Sequence, residues 1–140
     1  MKITEQQKTQ LAEIAEKHQI KLMTVYGSQI NGKTHANSDL DIGIFLKENP
    51  KSFQTLLAAQ SELEKIFDNY RLDVRYLNSA KPFFLFEAVY KGKLLYGSNY
   101  DYAKLCAKSF KQFIDTKPLR DLRDKMIKNR QLKLLNKNYA

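Results

Sequence analysis

Cysteine is almost missing from this chain: its 140 residues include one, Cys106. An internal disulfide and a cysteine-built zinc cage are therefore excluded, which fits a reducing cytoplasm. Cys106 lies in LCAKSF on an expected helix and reads as a packing residue, because free cysteines are usually buried. No run of about 18 apolar residues occurs, so no segment is expected to span a membrane. The opening MKITEQQKTQ has no apolar core of the kind a signal peptide carries, and a cytoplasmic protein is expected. Histidine is scarce too. His18 should close a first helix, where a cation suits the dipole, and His35 falls in a polar loop as a solvated side chain. Acid is short relative to base: 15 Asp+Glu face 24 Lys+Arg, a net charge of +9. Residues 101–140 hold 11 Lys/Arg against 4 Asp, so +7 of that excess sits in the last 40 residues. No zinc-finger spacing or RNP-like aromatic motif accompanies it. Direct nucleic-acid binding is not expected, and the basic end reads as a solvated helix face or a surface that meets an acidic partner.

What is present is strongly patterned. Thr4 and Gln7 form a capping box ahead of a helical stripe of Leu11, Ile14 and Ala15. IKLMTVYG is a first strand closed by Gly27, and SQINGKTHANS is polar, with room for a turn or two of helix before a loop. In DLDIGIFL, Leu40, Ile42, Ile44 and Leu46 share one face, while Asp39, Asp41, Gly43 and Phe45 share the other. A second helix opens at Pro50 and Ser52, with Phe53, Leu56, Leu57, Leu63, Ile66 and Phe67 as its apolar side. RLDVRYL is a third strand in which Asp73 faces away from Leu72, Val74 and Tyr76. A helix from Pro82 stops at Gly92 before the short strand KLLYG. The rest reads as one or two helices interrupted near Lys117-Pro118, with Leu119, Leu122, Met126 and Ile127 as an apolar stripe. The order predicts a small α/β (α+β) domain, a mixed sheet flanked by helices. Residues 1–98 form its core, and residues 99–140 form a C-terminal helical extension packed on the same domain.

Two carboxylates on one strand face, about 7 Å apart, repel unless a cation or a proton intervenes. Asp39 and Asp41 are such a pair, and an oxygen-preferring Mg²⁺ resolves the conflict by taking one or two carboxylates plus substrate phosphate. If the third strand pairs with the second, Asp73 faces the same ions, and three carboxylates around a phosphate suit two-metal displacement at phosphorus. Gly27 lets the backbone approach an anion, and Ser28 adds amide and hydroxyl donors. Together these describe a nucleoside-triphosphate site. The GxxxxGK[ST] of a P-loop is absent, which argues against Walker-type hydrolysis. Tyr26, just before Gly27, reads as packing.

Gly27-Ser28 followed after ten residues by Asp39-Leu40-Asp41 resembles the GS-x10-DxD signature of MNT-type minimal nucleotidyltransferases of the DNA polymerase β-like superfamily. Ser38 stands where that family has its usual serine before the acid pair. RLDVRYLN is similar to its third carboxylate strand, FFLFEAVYKGKLLYGS to the segment that follows, and FIDTKPLRDLRDK to the C-terminal helices of MNT antitoxins. The resemblance covers roughly residues 20–125. It implies that Asp39 and Asp41 hold Mg²⁺ and that Asp73 completes the two-ion site and helps deprotonate an acceptor hydroxyl. It also implies that Gly27, Ser28 and Ser38 contact the triphosphate of ATP. Many members carry an arginine before the turn's glycine, where this chain has Asn31-Gly32; Lys33 or Arg75 are the candidates to replace it at phosphate.

The resemblance further implies an antitoxin that transfers AMP from ATP to a tyrosine of a HEPN-domain toxin ribonuclease, forming a hetero-oligomer with it. Two alternatives stand beside it: a non-enzymatic antitoxin that silences its toxin by binding, and nucleotidyl transfer to a small molecule such as an aminoglycoside.

Overall fold

The computed structural model describes residues 2–27 and 39–139, the side chains as far as residue 136. Helix α1 (Glu5–Lys17) begins at the expected capping box: the Thr4 hydroxyl accepts from the Gln7 amide and the Gln7 side chain accepts from the Thr4 amide. It ends where Gln19 takes a left-handed backbone, φ 57°. His18, at the C-cap, has its Nε2 3.2 Å from Glu62.

Four strands follow, β1 (Ile20–Tyr26), β2 (Asp39–Leu46), β3 (Arg71–Tyr76) and β4 (Lys93–Tyr96), in the spatial order β3-β2-β1-β4. β1 is antiparallel to β2 and to β4, while β2 and β3 run parallel, so the sheet is mixed as expected. Parallel neighbours need a crossover, and α2 (Gln54–Ile66) supplies it. Helix α3 (Pro82–Leu85) continues as a π-helical turn over Phe86–Tyr90 before β4.

The sheet is buried on both faces for most of its length. Leu40, Ile42, Ile44, Leu72 and Val74 pack with Leu11, Ile14, Ala59 and Leu63 of α1 and α2 on one side. Leu22, Tyr26 and Leu77 pack with Leu85, Ala88, Val89 and Leu105 on the other. Within α2, the predicted apolar side is too broad. Ala59 and Leu63 are buried and Leu56 and Ile66 pack beside them, but Leu57 is 64% exposed. At 100° per residue it lies on the opposite side from the Ala59–Leu63 line. Phe53, 70% exposed, stands at the helix start and stacks on Tyr76 with ring centroids 6.3 Å apart.

Helix α4 (Asn99–Tyr139) is continuous for 41 residues and carries Pro118 inside it. The expected interruption near Lys117-Pro118 is therefore absent. Proline deletes one amide donor, toward the carbonyl of Ile114, but on an exposed stretch water can serve that carbonyl. Leu105 and Ser109 are buried on the domain, whereas Leu119, Leu122, Met126 and Ile127 are exposed.

Candidate active site

β1 ends at Tyr26 directly opposite Asp41 of β2, and Asp41 is directly opposite Asp73 of β3. Register partners point to one side of a sheet, so these three side chains form a row across three strands. Asp39 lies two residues before Asp41 on that side, and its register partner is Arg71. The row occupies the face covered by α3 and α4, at the end where β2 begins. Gly43, next on this face, has no side chain, and Leu77 fills the space that a β-carbon there would need. The apolar cluster thus starts immediately behind the carboxylates.

Gly27 follows Tyr26 with φ +82°, a conformation that L side chains avoid. A β-carbon at Gly27 would collide with Asp41 Oδ2. Glycine here therefore brings backbone hard against the carboxylate. The anion it meets is the protein's own Asp41 rather than a phosphate, and Ser28 itself lies outside the described residues. So do Ser38, Asn31, Lys33, His35 and the helical turn expected in SQINGKTHANS.

The electrostatics of the row follow from its crowding. Burial, then Asp73, then Asp39 raise the Asp41 carboxyl above its ordinary range, while Arg75 pulls it down. Arg75 Nε is 3.3 Å from Asp73 Oδ2, and Arg71 Nε is 4.0 Å from Asp39 Oδ1. The Arg75 guanidinium also lies over the Phe84 ring, 5.5 Å from its centroid, and Phe84 meets Tyr26 edge-on at 5.6 Å. A continuous chain, Asp73–Arg75–Phe84–Tyr26, frames Asp41 on the helix side.

Among the described residues no three carboxyl, imidazole or thiol groups close into a ready cation cage. The outer acids lean on arginines. Mg²⁺ does not require such a cage, since one or two carboxylates and substrate oxygens suffice. The donor chemistry fits: hard oxygen ligands, three negative charges on one face, and a central carboxyl that its neighbours push toward holding a proton.

Tyr26, Arg71 and Phe84 were not among the residues expected here. The Tyr26 hydroxyl is buried with no hydrogen-bond partner among the described residues. Burial, then the charge of Asp41, raises its pKa above the ordinary phenol value. Strand alternation in RLDVR already put Arg71 beside Asp73 in facing; Tyr26 needed the β1–β2 register, which no local pattern carries.

Residues 9–101 match the family model described as Polymerase beta, Nucleotidyltransferase. No curated protein matches the chain in sequence. Among solved structures, it superposes with a TM-score of 0.73 and 20% identity on a chain of a toxin–antitoxin crystal structure with AMP-PNP, covering 86% of this chain and 97% of that one. A complex of tri-AMPylated Shewanella oneidensis HEPN toxin with MNT antitoxin gives 0.69 and 16%, over 89% and 98%. Spectinomycin adenyltransferase AAD(9) from Enterococcus faecialis, with ATP and spectinomycin, gives 0.50 and 18%, over 81% and 66%. At these identities the likeness is one of fold.

Proposed function

The chain belongs to the polymerase beta nucleotidyltransferase family, and from that premise we propose that it is an antitoxin that transfers AMP from ATP to a tyrosine hydroxyl of a HEPN-domain toxin ribonuclease. Pyrophosphate leaves and the toxin is silenced. The observation that carries this reading is the in-register pair Asp41–Asp73, with Asp39 on the same face and Gly27 pressed against Asp41.

In this reading Asp39 and Asp41 hold Mg²⁺, with Asp73 completing a two-ion set. When bound, the ions neutralise phosphate charge and polarise the α-phosphoryl group. The chain's own groups do the rest. Gly27 admits the triphosphate to backbone range, Ser28 and Ser38 hydrogen-bond it, and Arg75 offers a cation beside Asp73. The acceptor oxygen forms a bond to the α-phosphorus, its proton passes to Asp73, and the α–β bridging P–O bond breaks. The toxin partner and AMP as the transferred group are supported by what the solved neighbours contain: an MNT antitoxin with an AMPylated HEPN toxin, and a toxin–antitoxin pair with an ATP analogue. No helix among the described residues is long and apolar enough to cross a membrane, and we place the reaction in the cytoplasm.

The test uses ATP labelled at the α-phosphate, Mg²⁺ and the co-expressed HEPN protein. Label and whole AMP units of mass should appear on the HEPN chain, and Asp39→Asn with Asp41→Asn should abolish both. Neutralisation that survives those substitutions would favour silencing by binding alone. The AAD(9) likeness keeps a small-molecule acceptor as the second reading, and label on spectinomycin rather than protein would decide for it.

A further inference from the structure

The far half of α4 projects its side chains into solvent. From residue 121 to residue 136 every side chain is exposed, although the helix extends about 30 Å over residues 117–136 at 1.5 Å per residue. Helices in proteins gain most of their stability from packing an apolar face. This stretch has such a face and nothing on it.

Leu119, Leu122, Met126, Ile127 and Leu134 fall within about 140° of the circumference at 100° per residue. They are 69%, 53%, 62%, 49% and 53% exposed. The first four share one shallow groove with Arg123 and Arg130. Charge is sorted around this stripe. Arg123, Arg130 and Lys133 lie among the apolar residues and Arg120 borders them. Both acids of the stretch, Asp121 and Asp124, lie on the far side with Lys117, Lys125 and Lys128, and Lys117 pairs with Asp121 at 2.7 Å. The remaining leucines, Leu132 and Leu135, are on that far side too. The stripe therefore offers apolar groups among three cations, of which Arg123 also reaches round to Asp124 at 3.7 Å.

We propose that this stripe docks a helical face of the partner protein in which carboxylates stand among apolar residues; the identity of that partner as the HEPN protein rests on the function proposed above. Sorting of charge selects this occupant. A second copy would set arginines and lysines against arginines and lysines in either helix orientation, which like-charge pairing disfavours. A nucleic acid would find phosphate ligands interrupted by five apolar side chains. An acidic amphipathic helix satisfies both components at once, as in helix-in-groove recognition.

The experiment measures binding of the full chain to the co-expressed HEPN protein, in an Asp39→Asn/Asp41→Asn background so that no transfer intervenes. Leu122→Asp with Met126→Asp should weaken binding at least tenfold. Arg123→Glu with Arg130→Glu, which keeps helix-forming residues, should do the same, and wild-type binding should weaken as salt rises. Lys125→Glu with Lys128→Glu, on the far side, should leave affinity unchanged. Stripe variants that bind like wild type would overturn the proposal. So would a wild-type chain that does not bind the HEPN protein, one that dimerises through the stripe, or one that takes up RNA there. Transfer that fails while docking through α4 persists would sink the catalytic reading and leave this one standing.

Discussion

Replacing Gly27 by alanine tests whether the backbone of the turn and the carboxylate of Asp41 are built against each other. The φ of +82° costs a residue with a β-carbon about 1–2 kcal/mol. The new methyl also collides with Asp41 Oδ2, and driving that side chain off its rotamer adds about 0.5–1.5 kcal/mol. Gly27→Ala should therefore destabilise the protein by roughly 2–3 kcal/mol in urea unfolding. The two parts separate in a double-mutant cycle. Asp41→Ala removes the carboxylate, and the Asp41 Cβ that remains is 3.7 Å from the alanine methyl, an ordinary contact. In that background the same substitution should cost only about 1–2 kcal/mol, leaving a coupling near ~1 kcal/mol. Label transfer by Gly27→Ala should fall by about 100-fold, since an ångström-scale misplacement of a reacting group costs that much. Equal costs in both backgrounds, or a variant within about 0.5 kcal/mol of wild type, would refute the idea that Gly27 is there to admit Asp41.

Three further outcomes follow from other contacts. Because burial, Asp73 and Asp39 raise the folded carboxyl of Asp41 above its ordinary 3.8, its contribution to stability is fully present below that value and is lost as pH rises through the folded value. In chelator-treated protein, the advantage of Asp41→Asn over wild type in urea midpoint should therefore grow as pH rises, and a flat difference would exclude the crowding. Asn78 closes the parallel ladder, donating to the Leu46 carbonyl and accepting from the Leu46 amide, each at 2.9 Å. Asn78→Ala should cost about 1–3 kcal/mol in urea unfolding and lower transfer, and an unchanged midpoint would show the clip to be idle. Pro118→Ala restores an amide opposite the Ile114 carbonyl and should stabilise the far half of α4 by up to about 3 kcal/mol, seen as slower hydrogen exchange beyond residue 118. Unaltered exchange there would mean that the helix does not feel the proline.

The facing of the three carboxylates was legible because strand alternation is a two-residue rule. DLDIGIFL and RLDVRYL assign every side chain to a face without reference to the rest of the chain, and those assignments match the burial of Leu40, Ile42, Leu72 and Val74. The relation between strands was not legible. That Asp41 falls opposite Asp73 rather than Arg71 or Arg75, and that Tyr26 completes the row, depends on hydrogen-bond register and on β1 lying between β2 and β4. Helices show the same division. The Thr4–Gln7 box is a local motif and forms as written. Leu57 and Pro118 mislead because apolarity and ring chemistry are local properties, whereas burial and helix continuity are decided by what surrounds them.

The register of β2 against β3 carries a hidden conflict. Strand parity allows slips only by even steps if the apolar residues are to stay inside. A two-residue slip in one direction would set Asp41 against Arg71, and in the other against Arg75. Each gives Asp41 an opposite charge, although the second moves Asp39 from Arg71 onto Asp73. Only the slip toward Arg71 removes every like-charge pair, and the native register forgoes it by keeping Asp41 opposite Asp73. Apolar packing, Leu77 over Gly43 and the Asn78 clip must outweigh that preference. Such a spot is locally frustrated, and a cation held between Asp41 and Asp73 would relieve it. The Mg²⁺ of the proposed reaction would then also act as a proofreader of strand alignment, favouring the register that sets Asp41 beside Asp73.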